Sequence, residues 1–385
     1  MEITGIICEY NPLHLGHKKQ LDHIRKTVGP DGGIVCLMSG NFVQRGAPAI
    51  LDKMRRAEAA VRCGADLVLE LPVTYSLSSA EGFAAGGVRI LSGFCHRLCF
   101  GAETADGAAL MATARALLAP DFSQMLRQQL ETGLSFPAAR QAALEAMGLD
   151  ASLLRTPNNI LAIEYCKAIL SQSSAMRPMV IHRPGSYHDT APDPENPSAT
   201  ALRQLMADRE CWDAYIPEAA IPCFAGAPQH TLAQGEKAIL YRLRTMTDEE
   251  FEALPYGSEG LWRKFMHAAR KERTVEEILT AVKSKRYTRS RLDRMLMCAF
   301  LGITREDLES PAPYTRVLAL NDRGREILKL ARAKGHFPNI GQTLDDPYQA
   351  LENRCGDLYG LFADSAEAPG SNQAGRIFYL HGSFS

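Results

Sequence analysis

Two histidines three residues apart, just past a short apolar run, are the first residues of this 385-residue chain equipped for chemistry. They lie in Tyr10-Asn11-Pro12-Leu13-His14-Leu15-Gly16-His17. Pro12 cannot donate to a ladder, so a strand ahead of it must stop there. Gly16 permits close backbone approach at a helix start, where unpaired N–H groups and the helix dipole favour an anion. The i, i+3 spacing sets both imidazoles on one side of the first turn. Two such donors suit the α- and β-phosphates of a nucleotide and the charge that builds up as pyrophosphate leaves. The competing reading is a capping turn with two partly exposed histidines.

A second cluster comes late, in Ser198-Ala199-Thr200-Ala201-Leu202-Arg203. Ser198 fits an N-cap, with Arg203 one to two turns into the helix. Hydroxyls, N–H groups and one guanidinium can surround a triphosphate. Alone the hexapeptide is weak evidence, because capped helices carrying an arginine are common. Its weight comes from the HxGH turn at the far end of the same fold.

The elements that must hold these groups read as α/β. Apolar runs at 3–8, 34–38, 67–71, 98–100 and 179–182 alternate with helical patterns at 16–28, 53–63 and 80–91. Near-continuous apolar runs suit strands covered on both faces, and the alternation predicts a Rossmann-like, doubly wound parallel sheet. A helical insert is expected at about 105–172, with Pro157 at the first turn of one of its helices. Residues 186–198 read as a polar loop. The expected division is an ATP-binding domain over 1–215, a mainly helical domain over 216–363, and a loose tail over 364–385.

Further polar residues gather at strand ends, where open α/β sheets bind ligands. Ser39, Asn41, Gln44 and Arg45 follow the second strand, and Lys53 opens the next helix. They are candidates for contact with phosphate or a small carboxylate. The alternative for Arg45 and Lys53 is solvated surface, for Asp66 a strand cap and for Glu70 a structural pair. Gly101 and Glu103 end the fourth strand, Asn158 and Asn159 begin a helix, and His182-Arg183 ends the fifth strand.

Composition bounds the function without naming it. Lysine plus arginine number 43 against 44 acids, a net charge of −1, so any nucleic-acid footprint must be local. The first residues lack the pattern of a secretory signal, and no apolar run nears the roughly 20 residues of a membrane helix. Ten cysteines without a CxxC pair fit reduced thiols and a cytoplasmic setting. Cys95-His96-Cys99 lacks a second ligand pair and reads as core packing rather than a metal site.

HxGH behind the first strand, with SxTxxR behind the fifth, resembles the HIGH superfamily of nucleotidyltransferases and class I aminoacyl-tRNA synthetases. Together with Ser39-Gly40-Asn41-Phe42-Val43-Gln44-Arg45-Gly46, Gly64 to Pro72, Phe100 to Glu103, Pro157 to Ala162 and Ile181 to Arg183, the chain from residue 2 to about 330 resembles the bacterial tRNA(Met) cytidine acetate ligase family. Leu13 and Leu15 stand where that family usually has Phe and Asn, and Ala47 where it often has Glu. The resemblance implies that ATP and acetate form acetyl-adenylate, and that the acetyl group passes to N4 of the wobble cytidine of elongator tRNA(Met). It implies catalytic roles for His14, His17 and Arg203. It also implies an ATP site lined by Ile7, Cys8, Glu9, Tyr10, Asn11, Pro12, Leu13, His14, Leu15, Gly16, His17, Lys18, Lys19 and Gln20. Gly101, Asn158 or Asn159, His182, Arg183, Ser198 and Thr200 complete it. Mg²⁺ is expected with the ATP, although no dedicated carboxylate cage is visible.

One segment answers the need for a local basic footprint. Between Trp262 and Arg294 eleven lysines and arginines face four acids, a local net of +7. Lys283, Lys285, Arg286, Tyr287, Arg289 and Arg291 set an aromatic among cations, which suits phosphate contacts plus stacking on an unpaired base. A solvated helical face is the alternative. Two other functions stay open on motifs alone: an adenylyltransferase acting on a phosphorylated small molecule, and a non-catalytic nucleotide-gated RNA-binding protein.

Overall fold

The computed structural model describes residues 1–134, 136–183, 197–284, 286–334, 339–342, 345–370 and 376–382, with Pro137 as backbone only. Its centre is a seven-stranded sheet. The strands are β1 (Ile3–Cys8), β2 (Gly33–Ser39), β3 (Leu67–Leu71), β4 (Arg97–Ala102), β5 (Arg177–His182), β6 (Val317–Asn321) and β7 (Phe378–Leu380), in the order β5-β4-β1-β2-β3-β6-β7. All neighbours are parallel except β3 and β6.

The apolar runs predict burial on both faces, and that is the outcome for the inner strands, whereas the edge strand β5 is only half-buried. Ile3, Ile7, Val35, Leu37, Leu67, Leu69 and Leu71 point into one core. Ile6, Ile34, Cys36, Met38 and Val68 point into the other. The period of two along each strand distributes the residues this way. Chain order reverses between β1 and β4, leaving a crevice at their carboxyl ends.

Helices Gly107–Leu118, Pro120–Glu131, Phe136–Ala146 and Pro157–Ser171 form the insert between β4 and β5. Asp106 caps the first of them, accepting N–H bonds from Ala108 and Ala109 at 2.9 and 3.0 Å. A separate helical core gathers Leu243, Phe251, Phe265, Ile278, Leu296 and Phe300, and takes Phe42, Val73 and Leu77 from the α/β part.

The domain expectation needs two corrections. Val317–Asn321 lies inside the span read as mainly helical, yet it joins the sheet as β6 beside β3. Phe378–Leu380, in the expected loose tail, adds β7 beside β6. Periodicity alone cannot separate a five-residue apolar run from a buried helix segment. The long-range contact settles it. Asp66 accepts from Ile34 N–H at 2.8 Å, Arg25 at 2.6 Å and Asn321 Nδ2 at 2.9 Å, pinning β2, the first helix and β6 to one carboxylate.

Candidate active site

The HxGH turn is shaped by its own backbone. Tyr10 sits at φ 44°, a costly conformation for a bulky residue. Its ring is buried and its hydroxyl lies 3.5 Å from Cys36 Sγ, which holds it there. His14 caps helix Leu15–Val28. Its Nδ1 accepts the Gly16 N–H at 3.1 Å, and His17 Nδ1 accepts the His14 N–H at 3.3 Å. The two rings stack at 3.7 Å with a 27° tilt. A Cβ on residue 16 would meet the His14 ring at 3.0 Å, so the stack needs glycine there.

These bonds decide the protonation state. An Nδ1 that accepts from a backbone N–H leaves the proton of the neutral ring on Nε2. Burial, with Arg183 and Arg203 nearby, lowers His14 to about 3. Burial, the His14 ring and Arg183 lower His17 as well. Both are therefore neutral Nε2–H donors, and the buried Nε2 of His14 has no partner within the protein. A buried donor lacking a partner is costly, and an anionic oxygen would satisfy it.

The other walls converge on the same crevice and enclose about 640 Å³. Glu103, just past β4, accepts from Thr156 Oγ1 (2.9 Å), Asn158 N–H (3.2 Å), Asn158 Nδ2 (2.8 Å) and Asn159 N–H (2.7 Å). It thereby fixes the start of helix Pro157–Ser171. Gly101 packs against the Arg183 side chain. Ser198 Oγ accepts from Thr200 and Ala201 N–H groups at 3.2 and 3.4 Å, opening helix Ala199–Ala207 toward the cavity. Arg203 donates to Asn11 O at 2.9 Å and Thr200 Oγ1 at 3.0 Å, tying the two motifs together. The last wall is a two-stranded ribbon, Phe42–Val43 against Ala47–Pro48.

Residues 1–373 match a family model described as HIGH Nucleotidyl Transferase. The chain is 38% identical over 371 residues to the tRNA(Met) cytidine acetate ligase of Clostridium novyi (strain NT), covering 90% of this chain and 92% of that relative. The chain belongs to the tRNA(Met) cytidine acetate ligase family. A second ligase of that name, from Alkaliphilus metalliredigens (strain QYMF), is 38% identical over 372 residues, with 88% and 87% covered. The crystal structure of Thermotoga maritima TmcAL superposes with a TM-score of 0.90 at 31% identity, covering 99% of this chain and all of that one. The same protein bound with alpha-thio ATP gives a TM-score of 0.88.

Within this ligase-family fold, Glu9, Asn11, His14, Gly16, His17, Lys19, Gln20, Arg45, Gly101, Asn158, His182, Arg183, Ser198, Thr200 and Arg203 all line the cavity. Other expected residues stand behind it. Ile7, Tyr10 and Leu13 are core, and Lys18 pairs with Asp22 on the surface. Cys8, Pro12 and Leu15 carry the turn without lining the cavity. Asn159 turns away to Thr104, accepting its N–H at 3.0 Å, so Asn158 is the residue of the pair that reaches the crevice.

Four of the five loop candidates do not line the large cavity; only Arg45 does. Ser39 is buried at the end of β2, and Asn41 accepts the Lys53 N–H at 3.0 Å. Lys53 is buried against Glu70 at 2.6 and 2.8 Å, in a small separate cavity shared with Glu352. Helix amphipathicity pulls it inward, since Ala57, Ala60 and Val61 on the same helix are core. Gln44 does not line the large cavity, but its N–H bonds Glu9 Oε1 at 2.9 Å.

Sequence reasoning missed several residues. His23 lines the cavity one turn beyond Lys19 and Gln20, and the 16, 19, 20, 23 spacing was a usable signal. Val43, Ala47 and Pro48 line the ribbon wall. Fully buried Arg56 donates to the carbonyls of Leu51 (2.8 Å), Glu9 (2.6 Å), Ser39 (3.1 Å) and Gly40, cross-bracing the ends of β1 and β2. Only the fold reveals those acceptors.

The basic segment departs from expectation. The Tyr287 ring is buried, its hydroxyl donates to Glu259 O at 3.3 Å, and Arg291 lies 5.3 Å over it, so it offers no stacking platform. Arg289 forms a fork with Glu276 at 2.8 and 2.7 Å and also reaches Asp293 at 2.7 Å. Arg291 donates to Tyr256 O at 2.7 Å and Ser258 Oγ at 3.0 Å. Arg286 is exposed and paired with Glu259, and Lys283 is exposed. Lys285 lies outside the described residues. At the other suspected cluster, His96 Nδ1 accepts the Ile3 N–H at 3.0 Å, while Cys95 and Cys99 sit in different cores. Among the described residues no group of three or more His, Cys, Asp or Glu could hold a metal ion, and no helix is long and apolar enough to cross a membrane.

Proposed function

We propose that this chain activates acetate with ATP as acetyl-adenylate and transfers the acetyl group to N4 of the wobble cytidine of elongator tRNA(Met). The carrying observation is the pair of neutral imidazoles, with His14 Nε2 buried and unpartnered, at a helix start closed by Arg203. The names of the relatives and the alpha-thio ATP bound by the Thermotoga protein support the same reading.

An acetate oxygen attacks the α-phosphorus, one P–O bond forms, and the bond to pyrophosphate breaks. His14 and His17 donate Nε2–H bonds to the phosphate oxygens as charge shifts to the leaving group, without giving up a proton. Arg203 and the N–H groups behind Ser198 hold the triphosphate. Mg²⁺ brought by the triphosphate would help neutralise its charge, held through the phosphates rather than by a carboxylate cage of the described residues. The setting we propose is the cytoplasm, where the ten free cysteines stay reduced.

The test is direct. Labelled acetate and ATP should label tRNA without coenzyme A. Label entering only from acetyl-coenzyme A overturns the reading. Bulk tRNA from a strain lacking the protein should lose N4-acetylcytidine, and unchanged levels would favour an adenylyltransferase.

A further inference from the structure

Glu9 contributes the only carboxylate lining the large cavity among the described residues. Around it stand His14, His17, Lys19, Arg45, Arg183 and Arg203, a set suited to a polyphosphate. An acid there opposes the binding of a tetra-anion, so it serves a different group. It is also held in place. Oε1 accepts the Gln44 N–H at 2.9 Å, and buried Arg56 grips the Glu9 carbonyl at 2.6 Å. An ionised carboxylate still has room for further donors.

The side from which Glu9 is held identifies the group. Gln44 belongs to the ribbon turn, an element separate from those that carry Gly101, Asn158 and Ser198. The ribbon is also joined to the helical region. Phe42 sits in the helical core, a Cβ on Gly46 would meet the Arg294 backbone at 2.4 Å, and Arg294 Nη1 donates to Gln44 O at 3.4 Å. Gln44 thus faces Glu9 with its N–H and the helical region with its carbonyl.

We propose that the ribbon wall admits the acceptor base and that Glu9 receives the exocyclic amine of that cytidine. This rests on the acetyl-transfer reading above. In the step, N4 attacks the acetyl carbonyl and the C–N bond forms. The bond from acetyl carbon to phosphate oxygen breaks and AMP leaves. The displaced N4 proton passes to the Glu9 carboxylate and then to water. No other reactant is needed.

The test separates the two half-reactions. Glu9→Gln keeps an oxygen for the Gln44 N–H but presents an amide donor to the amine. Acetate-dependent ATP–pyrophosphate exchange and acetyl transfer from preformed acetyl-adenylate to tRNA are measured side by side, with Mg²⁺ titrated in the exchange assay. Transfer should fall by about 10²-fold more than exchange, and Glu9→Asp should recover part of it. Equal losses in both, or a raised Mg²⁺ requirement for exchange, would place Glu9 on the nucleotide and overturn the proposal. Full transfer by Glu9→Gln would overturn it too. Wild-type protein that exchanges pyrophosphate yet never labels tRNA would instead remove the acetyl-transfer reading itself.

Discussion

The crevice at the strand ends and the basic segment near Tyr287 both drew attention through their polar side chains, but the fold uses them in opposite ways. In the crevice, side chains from the first strand, the insert and the Ser198 helix converge on one space, and a buried imidazole donor is left over. In the basic segment, Arg286, Arg289 and Arg291 bind neighbours in the same chain, and the aromatic is core. Groups that converge and keep an unmet bond point to a ligand. Groups that satisfy one another point first to stability, whatever their charge.

The largest effect expected from breaking this contrast is on Lys53, which sequence reading assigned to the ligand side. Lys53→Ala would leave Glu70 buried without its partner, and unfolding should show a loss of about 3–5 kcal/mol. A loss below about 1 kcal/mol with a steep rise in the KM for acetate would return Lys53 to the reaction. Next comes the crevice. His17→Ala should cut acetate-dependent exchange by about 10²-fold or more while keeping a native melting curve. Wild-type exchange in a folded variant would leave the histidine pair a capping device.

A smaller effect concerns Lys283 and Arg286, two exposed cations beside Tyr287 in the basic segment. Replacing both with Ala should reduce the salt slope of tRNA binding by about two units and leave ATP affinity unchanged. An unaltered slope would show that these two cations make no phosphate contact. A different kind of effect is that of pH through His14. Its folded pKa, about 3, lies below the ordinary 6.5. The stability it contributes is therefore present above 6.5 and is withdrawn as the pH falls toward 3, at up to about 1.4 kcal/mol per pH unit. Denaturation from pH about 7 to about 4 should be steeper in wild type than in His14→Gln, and equal slopes would show an imidazole that protonates freely in the fold.

The crevice was legible because its decisive bonds are local. Gly16 to His14 and His14 to His17 close within four residues, so spacing carries the geometry. The partner of Arg203 lies 192 residues away, and only motif resemblance joined them. Glu103 was marked by its place at a strand end, although its role in fixing the Pro157–Ser171 helix was not, and Arg56 gave no signal. The acceptors of Arg56 are all backbone carbonyls brought near by the sheet, and nothing in a side chain's type forecasts which carbonyl will face it. The basic segment failed for the complementary reason. Glu259 and Glu276 pair with Arg286 and Arg289 from neighbouring turns, and a count of charge along the chain does not say which pairs meet.

The return of β6 to the sheet also bears on how the protein is made. Asn321 reaches Asp66 from 255 residues further along the chain. At roughly 5–20 residues per second, a ribosome needs about ten to fifty seconds to cover that interval. Throughout it the Leu67–Leu71 strand has an open outer edge, an apolar template for pairing with other chains. A nascent chain stalled before residue 317 therefore carries most of its ATP crevice together with an uncovered sheet edge. The cell must shield that product during synthesis or destroy it afterwards.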